Sequence, residues 1–246
     1  MIDTYFTNRR SVRKFSSREV YDPLLREVLA AAMKAPTTSN MQLYSVVVTR
    51  DEARRAELAK LHFSQPAATG APVLLTICAD LHRFTRWCEV SGADAGFDNT
   101  ITFLSAFADA VIYAQQVVTI AERQGLGTCY LGTVTFNAPE IAKLLKLPKM
   151  VVPVACIALG WPEGEGEPTE RLELDGLLHS EEYHDPSDRE VVEIFKVKEQ
   201  YGPNRKYVEE NGKKNLAQVF AEVRYPRAMN EEFSKKFQQY LHENGL

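Results

Sequence analysis

The chain has 246 residues, of which 45% are hydrophobic, and its formal net charge is -4. This length and composition allow a sizeable core in one domain, or in one domain with an arm, and the charge provides no basic footprint for nucleic acid. The four cysteines, Cys78, Cys88, Cys129 and Cys156, lie too far apart for a metal knuckle or a disulfide framework.

The N-terminal segment reads MIDTYFTNRRSVRKF and lacks the continuous apolar run of a secretory signal, so a cytoplasmic location is expected. Within it, four cations flank Ser11: Arg9, Arg10, Arg13 and Lys14. Guanidinium groups bind phosphate oxygens in pairs, and a serine adds a short donor. The segment is therefore a candidate anion site, although a solvated basic turn explains the pattern equally well.

The first predicted helix spans residues 23–34, with Asp22 as its N-cap. A run of hydroxyl and amide side chains follows, which includes Ser39 and Gln42, and it leads into a predicted strand over 44–49. Such groups at the mouth of a strand suit the hydrogen-bonding rim of a heterocycle. They are also common in capped turns, so both interpretations stay open.

The next stretch is predicted to contain a helix over 51–62, a loop over 63–70 that includes Gln65, and a strand over 72–79. This strand is apolar along almost its whole length, which is typical of a strand buried on both faces. Residues 83–99 are irregular and mix aromatic with acidic side chains. They are expected to form a mobile flap or a helix over a pocket, or an ordinary surface excursion.

The longest predicted helix spans residues 101–124. Its apolar side chains recur at three- and four-residue steps and also coat the other faces, which is typical of a helix that is buried all round. Polar side chains such as Asp109 and Gln115 interrupt it, so a membrane span is not expected. One domain of this size rarely covers such a helix on every side. We therefore predict an obligate dimer with this helix at or near the interface.

Glycines punctuate the chain after this helix. Gly125 and Gly127 are predicted to form its C-cap, since glycine enters the left-handed region without strain. A predicted strand over 128–131 then ends in Gly132 and Thr133. A glycine at that place lets backbone N–H groups approach a flat ligand.

The core is predicted to end with a short helix over 138–145 and a buried strand over 151–159. An acidic loop over 162–175 follows, with Arg171 as its single cation. A lone cation among carboxylates usually forms a surface ion pair, which is the ordinary interpretation of this arginine.

From residue 187 onward the sequence is charged and helix-prone, in two pieces broken around residues 201–203. We predict a helical arm that wraps around a partner subunit rather than a second core. The predicted division of the chain is therefore a main domain over 1–185 and a C-terminal arm over 186–246.

Several common catalytic motifs are missing from the sequence. No Gly-x-Gly-x-x-Gly follows a predicted strand, which argues against a Rossmann nicotinamide site. The five histidines lack metal-ligand spacing, and no Gly-x-Ser-x-Gly elbow is present. Metal sites and nucleophilic chemistry are therefore not expected.

Four motifs in order resemble the FMN-dependent nitroreductase family: RRSVR, APTTSNMQLYSVVV, AERQGLGTCYLGT, and LGWP followed by RLEL and HSEEY. They look closest to the oxygen-insensitive NADPH nitroreductase and NADPH–flavin oxidoreductase branch, over about residues 5–185. The resemblance implies an α+β, nitroreductase-like fold, with a mostly antiparallel central sheet flanked by helices and a long buried central helix. It also implies an intertwined homodimer with two FMN molecules at the interface.

The resemblance further implies which residues hold the FMN phosphate. Arg10, Ser11 and Arg13 would bind the phosphate and the ribityl chain, and Arg171 would close on the phosphate. The family branch usually has a lysine two residues before the loop arginine, whereas Thr169 stands there in this chain. This difference removes one positive charge from the implied phosphate site.

The flavin ring would be held by other residues. By resemblance, Ser39 and Gln42 would reach it from the neighbouring subunit, and Gln65 would bond its polar edge. Four backbone units would lie beside N5 and O4 of the ring: Tyr130, Leu131, Gly132 and Thr133.

The activity implied is hydride transfer from NAD(P)H to nitroaromatics, quinones or free flavin in a ping-pong cycle, with no catalytic side chain because the flavin provides the reactive atom. NADPH is expected in preference to NADH, with Arg205 and Lys206 as candidates for its extra phosphate. Two alternatives stay open: other FMN chemistry such as dehalogenation or dehydrogenation, and a non-catalytic FMN-binding protein. A cofactor-free dimer is the third and blandest possibility.

Overall fold

The computed structural model describes residues 2–164, 166 and 168–246. Its strands are β1 (Tyr44–Thr49), β2 (Val73–Asp80), β3 (Gly127–Tyr130) and β4 (Val151–Gly160). Its helices are α1 (Thr4–Asn8), α2 (Asp22–Ala32), α3 (Glu52–Leu61), α4 (Pro66–Gly70), α5 (His82–Val90), α6 (Thr100–Arg123), α7 (Ala138–Leu145), α8 (Asp188–Gln200), α9 (Gly202–Glu210), α10 (Leu216–Gln218) and α11 (Arg227–Glu243). The chain forms two compact units, Met1–Glu167 with Ser234–Leu246, and Pro168–Phe233.

The first unit is built on a four-stranded sheet in the order β1-β2-β4-β3, and all three strand pairs are antiparallel. Every residue of β2 and of β4 is buried. The predicted strands over 72–79 and 151–159 are thus confirmed to within one residue, as is their burial on both faces. The α+β class and the antiparallel sheet are confirmed with them.

Side chains alternate along the central strands and so enter two separate cores. In β2, Leu75 and Ile77 point into a core shared with α2 and α6. Leu74 points to the other face, into a smaller core with residues of α3, α4 and α7. Because helices cover both faces, the two middle strands need no polar face, which explains their continuous apolar sequence.

The long helix α6 begins at Thr100, where the side chain of Asn99 accepts a hydrogen bond from Thr102 N at 3.1 Å, and it ends at Arg123. Its predicted span is confirmed. Ala106, Ala110 and Ala114 are fully buried, and their small side chains allow the helix to lie close to its neighbours.

As expected for one domain of this size, a single chain does not cover α6 on every side. Ile101, Leu104 and Ile112 are 73%, 52% and 41% exposed, so an apolar row faces outward. By length and composition the helix could cross a membrane, but 44% of its most apolar window is buried, and core helices of soluble proteins pass the same test. The core of one chain covers only one side of this helix.

The two glycines after α6 have different roles. Gly125 has a φ of +83°, as the predicted C-cap requires. Gly127 does not have a positive φ, and its place in the predicted cap is therefore wrong. It begins β3, where a Cβ atom would lie 2.7 Å from the side chain of Val12. Its glycine is needed for a close approach between two backbone segments rather than for a turn.

Two stretches outside the sheet contain helices. The predicted loop over 63–70 contains the short helix α4, which was not expected. In the stretch over 83–99, a helix was one of the expected forms, and α5 occupies its first half. The predicted break near 201–203 is confirmed, because α8 ends at Gln200 and α9 begins at Gly202.

The second unit contains α8 to α10, a π-helical turn over Val219–Arg224 and the start of α11. The capping box of α8 joins Ser187 and Glu190. The end of α11 belongs to the first unit, where Tyr240 is buried and its hydroxyl donates to Val151 O at 3.4 Å.

Candidate functional site

The predicted anion-binding segment is extended and lies beside the ends of two strands. Val12 N donates to Thr128 O in β3, and Ser16 N donates to Trp161 O just beyond β4, each at 2.9 Å. Ser11 is half-buried next to Val12. The segment therefore has a fixed backbone rather than the loose conformation of a solvated turn.

Arg9, the first of the four cations in this segment, is paired with a carboxylate inside the fold. Arg9 Nη2 lies 3.1 Å from Glu122 Oε1, and the Glu122 side chain is only 9% exposed. Glu122 also accepts hydrogen bonds from Tyr5 Oη at 2.8 Å and from Thr128 Oγ1 at 2.5 Å. The charge of Arg9 is thus matched inside the fold, and this arginine is structural.

The two arginines of this segment that are predicted to bind phosphate are placed differently. Arg10 is half-buried, and its Nη1 donates to Gly166 O at 3.1 Å. Arg13 is exposed, yet it lies close enough to β3 to act on Cys129. Burial raises the pKa of the Cys129 thiol, while the positive charges of Arg13 and Arg9 oppose that rise. The basic segment and the end of β3 therefore share one electrostatic environment.

The polar run before β1 has an unusual backbone. Ser39, Asn40 and Gln42 have φ values of 49°, 58° and 54°, in the left-handed region that non-glycine residues seldom occupy. Such backbone conformations cost energy and persist only when the surrounding structure holds them. Two predicted FMN-binding residues, Ser39 and Gln42, lie in this loop.

Two charged side chains hold the loop. Asp109, in the middle of α6, is 2% exposed and accepts hydrogen bonds from Thr38 N at 2.8 Å, Thr38 Oγ1 at 2.9 Å and Leu43 N at 3.2 Å. Arg83 Nη2 donates to Gln42 O at 2.5 Å. The loop is thus fixed at both ends by the core helix and at Gln42 by α5.

A second strained loop carries Gln65. Phe63 and Ser64 have φ values of 56° and 49°. Immediately after them, Gln65 Nε2 donates to Thr133 Oγ1 at 3.3 Å. The structure therefore brings together two residues, Gln65 and Thr133, that are 68 positions apart and that were both predicted to lie beside the flavin ring.

His62 contacts the same Thr133 hydroxyl from the interior of the protein. It is fully buried, and its Nδ1 lies 2.9 Å from Thr133 Oγ1. Its Nε2 is buried and has no hydrogen-bond partner among the residues that the structure describes. Burial lowers the pKa of His62 to about 4, so the imidazole is neutral at physiological pH.

The end of β3 presents an open surface next to this cluster. Leu131 is 1% exposed, its side chain lies in the smaller core, and its N–H donates to Cys156 O at 2.8 Å, so the structure does not offer this residue to a ligand. The Tyr130 side chain is 38% exposed. A Cβ atom built on Gly132 would meet nothing within 4 Å. Backbone groups at Gly132 can therefore be approached by a flat molecule.

The remaining predicted site residues lie in the second unit. Arg171 Nη1 donates to Thr169 Oγ1 at 2.6 Å and to Glu170 O at 2.9 Å. Arg205 and Lys206 are exposed on α9, and Lys206 Nζ lies 3.7 Å from Glu210 Oε1. The roles of these three residues remain predictions from the resemblance.

Two further observations concern possible metal ligands and a cavity away from the predicted FMN site. Within 2–164, 166 and 168–246, no group of three or more His, Cys, Asp or Glu side chains could hold a metal ion. A cavity of about 830 Å³ lies within the second unit and is lined mainly by apolar side chains, among them Phe195, Phe220 and Tyr225. It contains none of the residues predicted to bind FMN.

Sequence reasoning missed three of the residues that organise the site. The sequence pattern shows Asp109 as a polar residue that interrupts an apolar helix, and it places Arg83 in an irregular stretch. His62 is one of five histidines without metal-ligand spacing. None of the three is predicted to have a role in the site. An acidic residue in the middle of an otherwise apolar helix was the available signal for Asp109, because buried charges require partners. Nothing in the sequence indicated a bond between His62 and Thr133.

The chain is similar in sequence to a known protein family. Residues 6–161 match the family model described as the nitroreductase family. The chain is 31% identical over 183 residues to the oxygen-insensitive NADPH nitroreductase of Salmonella typhimurium, covering 74% of each chain. It is 28% identical over 183 residues to the FMN reductase (NADPH) of Bacillus subtilis, again covering 74% of each. These matches confirm the resemblance seen in the sequence.

A solved structure is similar along the whole chain. The crystal structure of an oxidoreductase from Bacteroides fragilis NCTC 9343 superposes with a TM-score of 0.96 at 39% identity and covers 99% of both chains. Agreement over this length includes the helices of the second unit as well as the sheet. The fold described above is therefore an established one.

We predict that Asp109→Asn destabilises the protein by about 2 kcal/mol. The two carboxylate oxygens accept hydrogen bonds from Thr38 and Leu43, and the NH₂ group of an asparagine would face one of these donors without being able to accept from it. Urea unfolding gives this difference. The exposed Asp94→Asn is the matched control and should change stability by less than about 0.5 kcal/mol. Equal stability of Asp109→Asn and the wild type would contradict the anchoring role of Asp109.

The low pKa of His62 predicts a loss of stability in mild acid. The unfolded chain binds a proton at this histidine below about pH 6.5, whereas the folded chain does not until about pH 4. Since the unfolded state binds more protons in this window, the free energy of unfolding falls as the pH falls, by about 2 kcal/mol between pH 7 and pH 5. Urea unfolding at pH 7 and at pH 5 measures this change, and in the His62→Asn variant the free energy of unfolding should fall by about 2 kcal/mol less than in the wild type. A slope unchanged from the wild type would show that another group is responsible.

Proposed function

The chain belongs to the nitroreductase family and is an oxidoreductase, and we propose that it uses bound FMN to transfer hydride from NAD(P)H to nitroaromatics, quinones or free flavin. One observation carries this proposal. Polar groups of Gln65 and Thr133 converge beside Gly132, where a Cβ atom would enter open space. Converging polar groups next to accessible backbone suit the edge of a flat heterocycle.

The chemistry of the described residues fits FMN. Arg10, Ser11 and Arg13 offer cationic and hydroxyl donors for a phosphate on a backbone that β3 fixes. Arg171 is proposed to join them, and Thr169 gives that group one charge less than the usual lysine would. The Bacillus subtilis relative is described as an FMN reductase that uses NADPH, which supports the same pair of cofactors here.

The bound flavin would itself carry the two electrons, so the protein needs only to bind the cofactor, orient it and stabilise its charge. Gln65 and the backbone at Gly132 would hold the polar edge of the ring. Hydrogen-bond donors there favour the form of the ring that carries negative charge. The buried His62 is not placed to exchange protons with solvent.

A homodimer is part of the proposal. Ile101, Leu104 and Ile112 lie on one outward side of α6, spaced by three and eight residues so that they share a face. A contiguous apolar row of this kind marks an interaction surface more often than an ordinary exposed surface. A second copy would bury the row and could present Ser39 and Gln42 to the flavin of its partner.

A ping-pong cycle is also part of the proposal. NAD(P)H would reduce the cofactor and leave, and a flat oxidant would then occupy the same place. NADPH is proposed in preference to NADH, with Arg205 and Lys206 near its extra phosphate. The dependence on NAD(P)H also supports the expected cytoplasmic location.

The visible spectrum of the purified protein tests the cofactor and both half-reactions. A yellow flavin spectrum should bleach with NADPH in the absence of oxygen and return when a quinone is added. Colour that NADPH cannot bleach would favour a non-catalytic FMN-binding protein or another donor. A protein that gains no flavin spectrum from added FMN would refute the proposal.

We expect Gly132→Val to fold like the wild type and to lose FMN, because its side chain would occupy the open space that the flavin requires. Gly70→Val is the control, since a Cβ atom there also meets nothing within 4 Å but the residue lies outside the proposed site. Thermal unfolding reports the fold, and fluorescence titration reports FMN affinity. Tight FMN binding by Gly132→Val would remove this glycine from the site.

Leu104→Arg should shift the protein from dimer to monomer, because it places a charge in the proposed apolar interface. Sedimentation gives the oligomeric state at several concentrations. Ala56→Arg, on the exposed side of α3, is the control and should leave the assembly unchanged. A dimeric Leu104→Arg variant would place the interface elsewhere.

Replacing both Arg205 and Lys206 by alanine should raise the KM for NADPH and leave the KM for NADH unchanged, because only NADPH carries the extra phosphate. Steady-state kinetics with each donor separates the two cases. An equal effect on both donors, or none, would argue against a phosphate contact at these residues.

A further inference from the structure

The hydrogen-bond cluster of His62, Thr133 and Gln65 has a feature that the proposed function does not use. His62 is fully buried, Thr133 is half-buried and Gln65 is half-buried. The cluster therefore runs from the interior to the surface beside Gly132. Its inner end is a neutral imidazole, and its outer end lies where the flavin edge is proposed to bind.

The hydroxyl of Thr133 is the centre of this cluster. A hydroxyl group has two acceptor sites and one hydrogen to donate. Gln65 Nε2 donates to it at 3.3 Å and so occupies one acceptor site. His62 Nδ1, at 2.9 Å, either donates to the second site or accepts the hydroxyl hydrogen. The tautomer of His62 therefore decides whether Thr133 retains a hydrogen for a ligand.

The burial of the other ring nitrogen distinguishes the two tautomers. If Nδ1 accepted, the hydrogen would be on Nε2, which is buried and has no acceptor among the described residues. If Nδ1 donates, Nε2 holds only a lone pair. A buried N–H group without an acceptor is rarer in proteins than an acceptor without a donor. The fold therefore favours the tautomer with the hydrogen on Nδ1.

We propose that His62 is a positioning residue that donates from Nδ1 to Thr133 and thereby makes the Thr133 hydroxyl a hydrogen-bond donor to the polar edge of the bound flavin. The inference rests on the proposed function. With both acceptor sites filled from within the protein, the hydroxyl hydrogen has no partner in the cluster and is directed to the ligand. The residue at the flavin edge is then oriented by a side chain that never touches the cofactor.

The consequence is a preference for the reduced cofactor. A fixed donor at this edge stabilises negative charge more than it stabilises the neutral ring. The hydroxyl should therefore raise the midpoint potential of bound FMN and tighten the binding of its reduced form. One hydrogen bond of this kind corresponds to about a threefold to tenfold change in a dissociation constant.

The test uses two pairs of variants and measures the dissociation constant and midpoint potential of bound FMN. Thr133→Val removes the hydroxyl, and we expect weaker binding of reduced FMN by about threefold to tenfold and a lower potential. Thr133→Ser keeps the hydroxyl and should behave like the wild type. His62→Phe removes the inner donor and should shift the potential in the same direction as Thr133→Val. His62→Asn, whose amide can donate from the position of Nδ1, should restore it.

Nitrogen NMR of the histidine ring in the wild-type protein reads the tautomer directly, with or without FMN. A hydrogen on Nδ1 of His62 is the expected result, and a hydrogen on Nε2 would overturn the proposal. Unchanged potentials in Thr133→Val and His62→Phe, with FMN still bound, would overturn it as well. If wild-type protein bound no FMN at all, the proposed function would fail, whereas the NMR result would still decide the tautomer.

Discussion

The candidate site depends on the hydrogen bonds that the buried carboxylate of Asp109 accepts from the loop before β1. Asp109 lies in the middle of the core helix α6 and accepts three hydrogen bonds from Thr38 and Leu43, on either side of a strained loop. A buried carboxylate without these donors would be very unfavourable, and the loop donors would lose a charged acceptor. Helix and loop therefore hold each other in one register. Ser39 and Gln42 are presented by a segment that the hydrophobic core itself fixes.

The second loop follows the same principle with neutral groups. Phe63 and Ser64, which are in the left-handed region, lie between two contacts with Thr133: His62 is hydrogen-bonded to its hydroxyl before them, and Gln65 Nε2 donates to it after them. A hydrogen bond from Asn137 Nδ2 to Leu61 O at 2.7 Å also holds the residue before His62. Strained backbone tends to occur at functional sites because the surrounding structure must over-determine it. In this molecule both strained loops carry residues that the family resemblance assigns to FMN, and each is tied to a regular helix or strand end.

The helix α6 connects the fold to the proposed assembly. Its small buried residues pack in the core of one chain, Asp109 holds a site loop, and its outward apolar row is available to a second chain. A single helix can contact the core, the loop and a second chain because its side chains point in different directions, and residues three or four apart share one face. In the proposed dimer, the element that buries the interface also determines the position of the loop that would reach the partner's flavin. Assembly and cofactor binding would then depend on each other.

The sequence by itself determined the strands, the long helix and the family, because continuous apolar runs, helical periodicity and ordered motifs can be read from residues close together in the chain. It also indicated Gln65, Gly132 and Thr133 as site residues, through their resemblance to the family. Only the tertiary structure showed that Gln65 and Thr133 share a hydrogen bond, that Gly127 is needed for the approach of Val12, and which side of α6 is exposed. His62 and Asp109 gained their roles in the same way. Contacts between residues about 70 positions apart depend on how the core packs, and local patterns do not contain that information.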